Sequence, residues 1–151
     1  MGNKYYQGQY RVTNRDKYIG NPDNVIYRSM IEFQTFRWCD RNDQIIRWGS
    51  EEVVIKYICE TDRKQHRYYI DLYIQFKDKS ELLVEIKPER FTKPPVVKKG
   101  SHRKRHLRES LQYVKNRSKW KWAKAWAEKH NMKFEIWTEK TLKSLGVIKW
   151  L

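Results

Sequence analysis

Alternating apolar and polar residues form the clearest pattern in this chain. Side chains along a β-strand point to opposite faces in turn, so this alternation predicts half-buried strands. It occurs at residues 44–48, 53–58, 67–76, 80–87 and 133–137. A polar turn, KDKS, joins the third and fourth of these segments, so we expect them to form a β-hairpin.

Three other segments have the pattern of helices. The first covers residues 29–42, with Ser29 as a favourable N-cap. A short helix near the end of the chain has Thr138 as its N-cap and Gly146 beyond its last turn. The longest runs from about residue 101 to 130, and its predicted inward positions are Leu107, Leu111, Val114, Trp122, Ala125 and Trp126.

The order of these elements predicts an α/β domain, in which helices pack on a mixed sheet. The 151 residues suffice for one domain with an apolar core, and they contain no repeat or linker. We therefore predict a single domain over residues 1–151, whose polar N-terminal arm extends to about residue 25.

Three charged residues interrupt the apolar pattern of the predicted hairpin. Asp71 lies within its first strand, and Glu85 and Lys87 lie at the end of its second. Strands disfavour aspartate, and they disfavour glutamate and lysine to a lesser degree. If the two strands pair, all three side chains can point into one space. If they face solvent instead, Glu85 and Lys87 are an ordinary surface pair that contributes less than about 1 kcal/mol.

A cluster of carboxylates on this hairpin would favour a divalent metal ion. Two carboxylates held close together repel each other, and a divalent cation supplies the compensating charge. Mg²⁺ prefers oxygen ligands and leaves positions open for water and a substrate phosphate. Lys87 would reach the same space, where it could orient a nucleophile or offset charge on the phosphate.

A further carboxylate, Glu32, has two interpretations that the sequence does not separate. Ser29-x-x-Glu32 matches a capping box, in which the glutamate accepts a hydrogen bond from the N-cap amide. Helical geometry also places Glu32 on the side of Phe36 and Cys39, toward the protein. An inward carboxylate without a partner is unfavourable unless a cation compensates it.

The net charge of +15 predicts that the partner is a polyanion such as nucleic acid. The densest basic segment begins just after Lys87, and it could equally be a solvated helix face. Its predicted contacts to DNA phosphates are Lys98, Lys99, Arg103, Lys104, Arg105 and Arg108. No run of eighteen apolar residues occurs, so we expect no membrane partner. Two isolated cysteines are typical of a reducing cytoplasm.

The residues singled out above resemble the core of the PD-(D/E)xK nucleases. That core has an acidic residue on its first helix, an aspartate at a strand, a hairpin leading to Glu-x-Lys, and then a helix. The segments YRSMIEFQTFRWCDRNDQIIRWGSEEVVIKY and HRYYIDLYIQFKDKSELLVEIKP are similar to TnsA-type transposon endonuclease domains. The full length, from its MGN…YYQGQYRV opening, resembles the head-completion nucleases of T-even-type tailed phages. Ile70 replaces the proline of the family name, and Gln112 is not followed by the tyrosine that some relatives have four residues later.

This resemblance implies a restriction-endonuclease-like fold with a central mixed sheet flanked by helices. It also implies that Glu32, Asp71 and Glu85 bind Mg²⁺ or Mn²⁺ and that Lys87 is the catalytic lysine. The implied activity is hydrolysis of phosphodiester bonds in double-stranded DNA, as packaged phage DNA is processed during head completion and head–tail joining. The implied partners are DNA and phage head or portal proteins, in the host cytoplasm during assembly and then in the virion.

Two alternatives remain open. A connector protein of the virion could bind DNA without cutting it, and a transposase-type endonuclease subunit would need a partner for activity.

Overall fold

The computed structural model describes residues 7–97, 99–100 and 102–149. Its strands and helices, in chain order, are β1 (Gly8–Gln9), β2 (Ile26–Tyr27), α1 (Met30–Arg41), β3 (Ile45–Ser50), β4 (Val54–Ile58), β5 (Gln65–Tyr69), β6 (Leu72–Phe76), β7 (Glu81–Ile86), α2 (Arg103–Lys129), β8 (Lys133–Trp137) and α3 (Glu139–Ser144). Short 3₁₀ turns cover Arg15–Lys17 and Glu89–Thr92.

A mixed four-stranded sheet forms the centre of the molecule, in the order β3-β6-β7-β8. Strand β6 pairs antiparallel with β3 and β7, whereas β7 and β8 are parallel. Strands β4 and β5 form a separate antiparallel hairpin. The predicted α/β domain with a mixed sheet and flanking helices is therefore confirmed.

Two apolar cores lie against opposite faces of this sheet. The first contains residues of α1, of α3 and of the segment after α3, together with Leu72 and Ile74 from β6. The second contains residues of α2 and of the β4–β5 hairpin, together with Tyr73 from β6. The central strands are therefore buried on both faces, and the expectation of half-buried strands is wrong for β6 and β7. Layers on both sides of the sheet explain why their sequences are so apolar.

The predicted strand over residues 67–76 is in fact two strands in different sheets. Strand β5 ends at Tyr69 after pairing with β4, and β6 begins at Leu72, where pairing with β7 starts. Between them, the Ile70 amide donates to the Val53 carbonyl at 2.9 Å. The chain thus leaves one sheet and enters another within two residues.

This break also changes the core into which alternate side chains of the segment pack. Tyr68 and Ile70 pack in the second core, whereas Leu72 and Ile74 pack in the first. Asp71 lies in the connection, one residue before β6, and not inside a strand. Alternation continues only while a strand remains in one sheet, so the faces change at the connection.

The first half of α2 projects beyond the body of the protein. The buried residues of this helix all lie in its second half, and they are Asn116, Ser118, Trp120, Ala123 and Ala127. The inward positions predicted from sequence are wrong for Leu107, which is 59% exposed, and for Leu111, which is 49% exposed. Val114, Trp122 and Ala125 are exposed too. At 100° per residue, the stripe of Leu107, Leu111 and Ala125 lies on the side of the helix opposite to the buried Trp120 and Ala123, so the helix packs through its other face.

The N-terminal arm packs beside α1 through a buried carboxylate. Asp40 is fully buried, and it accepts hydrogen bonds from the Tyr10 hydroxyl at 2.9 Å and from the amides of Thr13 and Asn14 at 2.7 and 2.9 Å. These bonds attach the arm to the C-terminal end of α1. Within the described residues, no helix combines the length and apolar character needed to cross a bilayer.

Candidate active site

The hairpin of β6 and β7 places Asp71 beside Glu85-x-Lys87. Leu72 pairs with Val84, so the residue before β6 lies next to the end of β7. The Ile86 amide donates a hydrogen bond to Asp71 Oδ2 at 2.8 Å. The structure thus brings the predicted aspartate to the predicted Glu-x-Lys segment, although Asp71 arrives there from a connection rather than from a strand.

Two donors fix the carboxylate of Glu85, which is only 6% exposed. The Tyr68 hydroxyl donates to Oε2 at 2.5 Å. Lys87 Nζ lies 3.3 Å from Oε1. The Lys87 amide also donates to the Trp137 carbonyl, which extends the pairing of β7 with β8 to the lysine itself. Glu85 and Lys87 therefore form a half-buried pair in a defined place, and not the exposed pair that the sequence left open.

Glu32 lies in the first turn of α1 and has part of the predicted capping role. The Ser29 hydroxyl accepts a hydrogen bond from the Glu32 amide at 3.1 Å, as a capping box requires. The Glu32 carboxylate does not bond the Ser29 amide in return. Its Oε2 accepts from the Arg28 amide at 2.6 Å, one residue earlier. The carboxylate thus caps the helix, and it also lies where the charges of the hairpin carboxylates act on it.

Electrostatic coupling joins the three carboxylates. The pKa of Asp71 is raised well above its ordinary value, first by burial, next by the negative charge of Glu85, and less by that of Glu32. The pKa of Glu32 is also raised, mainly by burial, and the charges of Glu51 and Glu85 add to this. Asp71 is enclosed mostly by protein, yet it keeps contact with solvent. Negative charge therefore accumulates at this place beyond what Lys87 compensates.

The donor set fits a hard divalent cation, although no ligand cage is preformed. Carboxylate oxygens are the ligands that Mg²⁺ and Mn²⁺ prefer. Among the described residues, no three carboxylate, imidazole or thiol groups already converge as a closed metal site. Glu85 already accepts from Tyr68 and pairs with Lys87, whereas Asp71 Oδ1 accepts nothing from the described part of the chain. Burial and Glu85 disfavour the charged form of Asp71, and a bound cation would favour it.

Two residues near this cluster were missed as site residues in the sequence. Tyr68 was assigned to an apolar strand face, and its hydroxyl instead holds Glu85. Lys119, on α2, has its Nζ 5.4 Å from the centre of the Tyr68 ring and within electrostatic range of Glu85 and Asp71. Neither position has a local signal, because both reach the site only through tertiary packing.

The predicted DNA-binding residues lie apart from the carboxylates. Lys98 falls outside the described residues, and Lys99 is exposed in the turn before α2. The four others are exposed on the projecting half of α2, namely Arg103, Lys104, Arg105 and Arg108. Arg105 forms an ion pair with Glu109 at 3.2 Å, so part of its charge is already matched.

A cavity of about 600 Å³ lies elsewhere, between α1 and the segment after α3. It is lined by Gln34, Arg37, Trp38, Arg41, Asn42 and Gly146–Lys149. None of the four predicted catalytic residues lines it. This cavity and the carboxylate cluster are therefore separate features of the surface.

The fold and the cluster together define a restriction-endonuclease-like domain. The family of TnsA-like endonuclease N-terminal domains matches residues 42–139, and the chain belongs to this family. The matched range contains Asp71, Glu85 and Lys87, whereas Glu32 precedes it. The chain is also 40% identical over 146 residues to the head completion nuclease of Enterobacteria phage T4, across 93% of this chain and 96% of that protein. The family resemblance expected from the sequence is confirmed.

Proposed function

We propose that this protein is a metal-dependent deoxyribonuclease that hydrolyses phosphodiester bonds of double-stranded DNA. The observation that carries the proposal is the position of Asp71 beside the buried Glu85–Lys87 pair. The family match supports the class of reaction. In this proposal the chain acts as a single nuclease domain with its N-terminal arm.

The carboxylates of Asp71, Glu85 and Glu32 would hold Mg²⁺ or Mn²⁺. When bound, such a cation supplies Lewis acidity and positive charge near the scissile phosphate. Tyr68 keeps Glu85 in place through its hydroxyl, and the Ile86 amide does the same for Asp71. Orientation of ligands by such outer contacts is common in metal sites.

Lys87 would act on the reacting groups themselves. Its ammonium is half-buried and lies at Glu85, so it can orient the attacking water or stabilise charge on the phosphate in the transition state. In the reaction, the oxygen of water forms a bond to phosphorus and the bond from phosphorus to one sugar oxygen breaks. The proton lost by the water is balanced by the proton that the leaving oxygen gains.

The basic residues before and within α2 would bind the DNA backbone. Lys98, Lys99, Arg103, Lys104, Arg105 and Arg108 follow the Glu-x-Lys segment in the chain and supply a cluster of positive charge for the phosphates. Such contacts confer affinity that depends strongly on salt and little on sequence.

The decisive experiment is cleavage of supercoiled plasmid and linear duplex by the purified protein, in Mg²⁺, Mn²⁺ or EDTA. Glu85→Gln and Lys87→Ala should both abolish metal-dependent cutting. Glu81→Gln is a matched control, because Glu81 is on the same strand and accepts a similar hydrogen bond from a tyrosine, Tyr73. Wild-type protein that binds DNA but cuts nothing in either metal would support a connector or a subunit awaiting its partner.

We further propose a role in phage head completion, where the enzyme would process the packaged DNA end before the tail joins. The relative from phage T4 carries that role in its name, and the match covers nearly the whole of both chains. The test is complementation of a T4 phage that lacks its own head completion nuclease. Infectious progeny should appear with the wild-type chain and not with Glu85→Gln. Equal rescue by both would assign the chain a structural role in the head.

A further inference from the structure

The half-buried side chain of Lys119 lies near the carboxylate cluster. Its Nζ is 5.4 Å from the centre of the Tyr68 ring, on the same tyrosine whose hydroxyl holds Glu85. Within the described part of the chain, no carboxylate lies at ion-pairing distance from this ammonium. Burial lowers the pKa of Lys119, and the charges of Glu85 and Asp71 offset only part of that effect.

This arrangement is unfavourable for a residue whose role is structural. A desolvated ammonium is stabilised best by a direct carboxylate, and Glu85 is close enough to exert its charge but already pairs with Lys87. The ring of Tyr68 gives a weaker cation–π contact. The lysine is therefore partly desolvated and has no ion-pair partner among the described residues, which suits the binding of an anion.

The same face of α2 carries a second half-buried cation. Residues four apart on a helix lie on one side, so Lys115 is next to Lys119, one turn nearer to the projecting half. The two ammonium groups are close enough that Lys115 lowers the pKa of Lys119 further. Arg108 lies two turns beyond Lys115 on this face. A row of cations thus leads from the projecting half of α2 to the carboxylates.

We propose that Lys119 is a substrate-binding residue, which binds a phosphate of the DNA strand being cut, and that Lys115 binds a neighbouring phosphate of the same strand. A lysine recognises phosphate as a point charge, which suits a backbone contact without sequence preference. This inference rests on the proposed nuclease function and adds the direction from which DNA reaches the cluster.

The first test measures binding alone, with a fluorescent 20-base-pair duplex in EDTA, so that no cutting occurs. Lys119→Gln should weaken binding about tenfold near 0.1 M salt, and the slope of log affinity against log salt should fall by about 0.9, the value for one phosphate contact. Lys119→Arg keeps the charge and should keep the slope. Lys124→Gln is the matched control, because Lys124 is exposed on the same helix and points about 140° away.

The second test separates substrate binding from support of the fold. Lys119→Gln should melt at the wild-type temperature or above, because it removes a desolvated charge, while kcat/KM for plasmid cleavage falls about tenfold, in line with the loss of binding. An unchanged salt slope, or an equal loss of slope in Lys124→Gln, would overturn the inference. A lower melting temperature in both Lys119 variants would overturn it too, in favour of a structural role. If the wild type binds with the expected slope but cuts nothing, the nuclease proposal fails while the DNA contact of Lys119 stands.

Discussion

The hydroxyl of Tyr68 offers a direct test of whether Glu85 must be held in place. Tyr68→Phe removes the group that donates to Glu85 Oε2 at 2.5 Å and keeps the ring that packs in the second core. A hydrogen bond to a charged group contributes about 1.5–3 kcal/mol. At about 2–4 °C for each kcal/mol in a domain of this size, the melting temperature should fall by about 3–12 °C.

The effect on cleavage should be larger than this loss of stability alone explains. Without the hydroxyl, Lys87 is the one partner left to Glu85 among the described residues, so one of the two contacts that fix its carboxylate is lost. Loss of such an outer contact lowers metal affinity or activity about 10- to 100-fold. Burial, and then the charge of Glu85, raise the pKa of Tyr68, so the hydroxyl stays protonated and the deficit should appear at every assay pH.

The chain contains a matched control for this prediction. The Tyr73 hydroxyl, on β6, donates at 2.5 Å to Oε2 of Glu81, on the strand that also carries Glu85. Tyr73→Phe should also lower the melting temperature, but initial rates of plasmid nicking at saturating Mg²⁺ should match the wild type. If Tyr68→Phe nicks as fast as the wild type, or if both variants lose the same activity, positioning of Glu85 by Tyr68 is refuted.

Three further predictions concern Asp71, two arginines of α2, and Asp40. Asp71→Asn should abolish cleavage yet raise the free energy of unfolding at neutral pH, because burial and a neighbouring carboxylate raise the pKa of Asp71. Because the pKa of Asp71 is raised in the folded state, the wild type loses stability as pH rises through that pKa. The stability gained by Asp71→Asn should therefore vanish below about pH 4 in urea titrations. Arg103→Ala and Arg108→Ala should each lower the slope of log affinity for duplex DNA against log salt by about 0.9, measured by anisotropy. An unchanged slope would show that the projecting half of α2 does not contact DNA. Asp40→Ala should lower the free energy of unfolding by about 3 kcal/mol, since the buried Tyr10 hydroxyl and two amides of the N-terminal arm lose their acceptor, while the cleavage rate per folded molecule stays unchanged.

Sequence signals from a few adjacent residues correctly predicted the helix caps and the tight turn of the hairpin. Ser29 caps α1 through the Glu32 amide, and Thr138 caps α3 with a reciprocal bond to Thr141. Gly146 lies just beyond α3 with a φ of +78°, which explains why glycine ends that helix. The polar turn between β6 and β7 likewise predicted the hairpin, which places Asp71 beside Glu85. Caps and tight turns depend on a few adjacent residues, so the sequence is enough to find them.

Contacts between distant segments determined the features of the fold and site that the sequence pattern does not predict. The alternation over residues 67–76 continues without interruption, and only the pairing of β5 with β4 and of β6 with β7 divides it. The apolar stripe of Leu107 and Leu111 has a helical period, but the helix packs through its opposite side, and tertiary contacts decide which side that is. Tyr68 and Lys119 join the cluster through contacts between distant segments, which a pattern along the chain does not contain.

A strained residue of the connection between β3 and β4 contacts the break between β5 and β6. Glu51 has a φ of +56°, a left-handed conformation that costs on the order of 1 kcal/mol or more for a residue with a side chain. Its amide reaches the carbonyls of Ile70 and Asp71 at 3.2 and 3.4 Å, and its carboxylate pairs with Arg28 at 2.6 Å, just before α1. One strained residue thus links the connection that carries Asp71 to the start of the helix that carries Glu32. Because neither carboxylate belongs to the interior of a regular element, their relative position depends on this link. The cluster therefore forms where a strand end, a helix start and a strained loop meet.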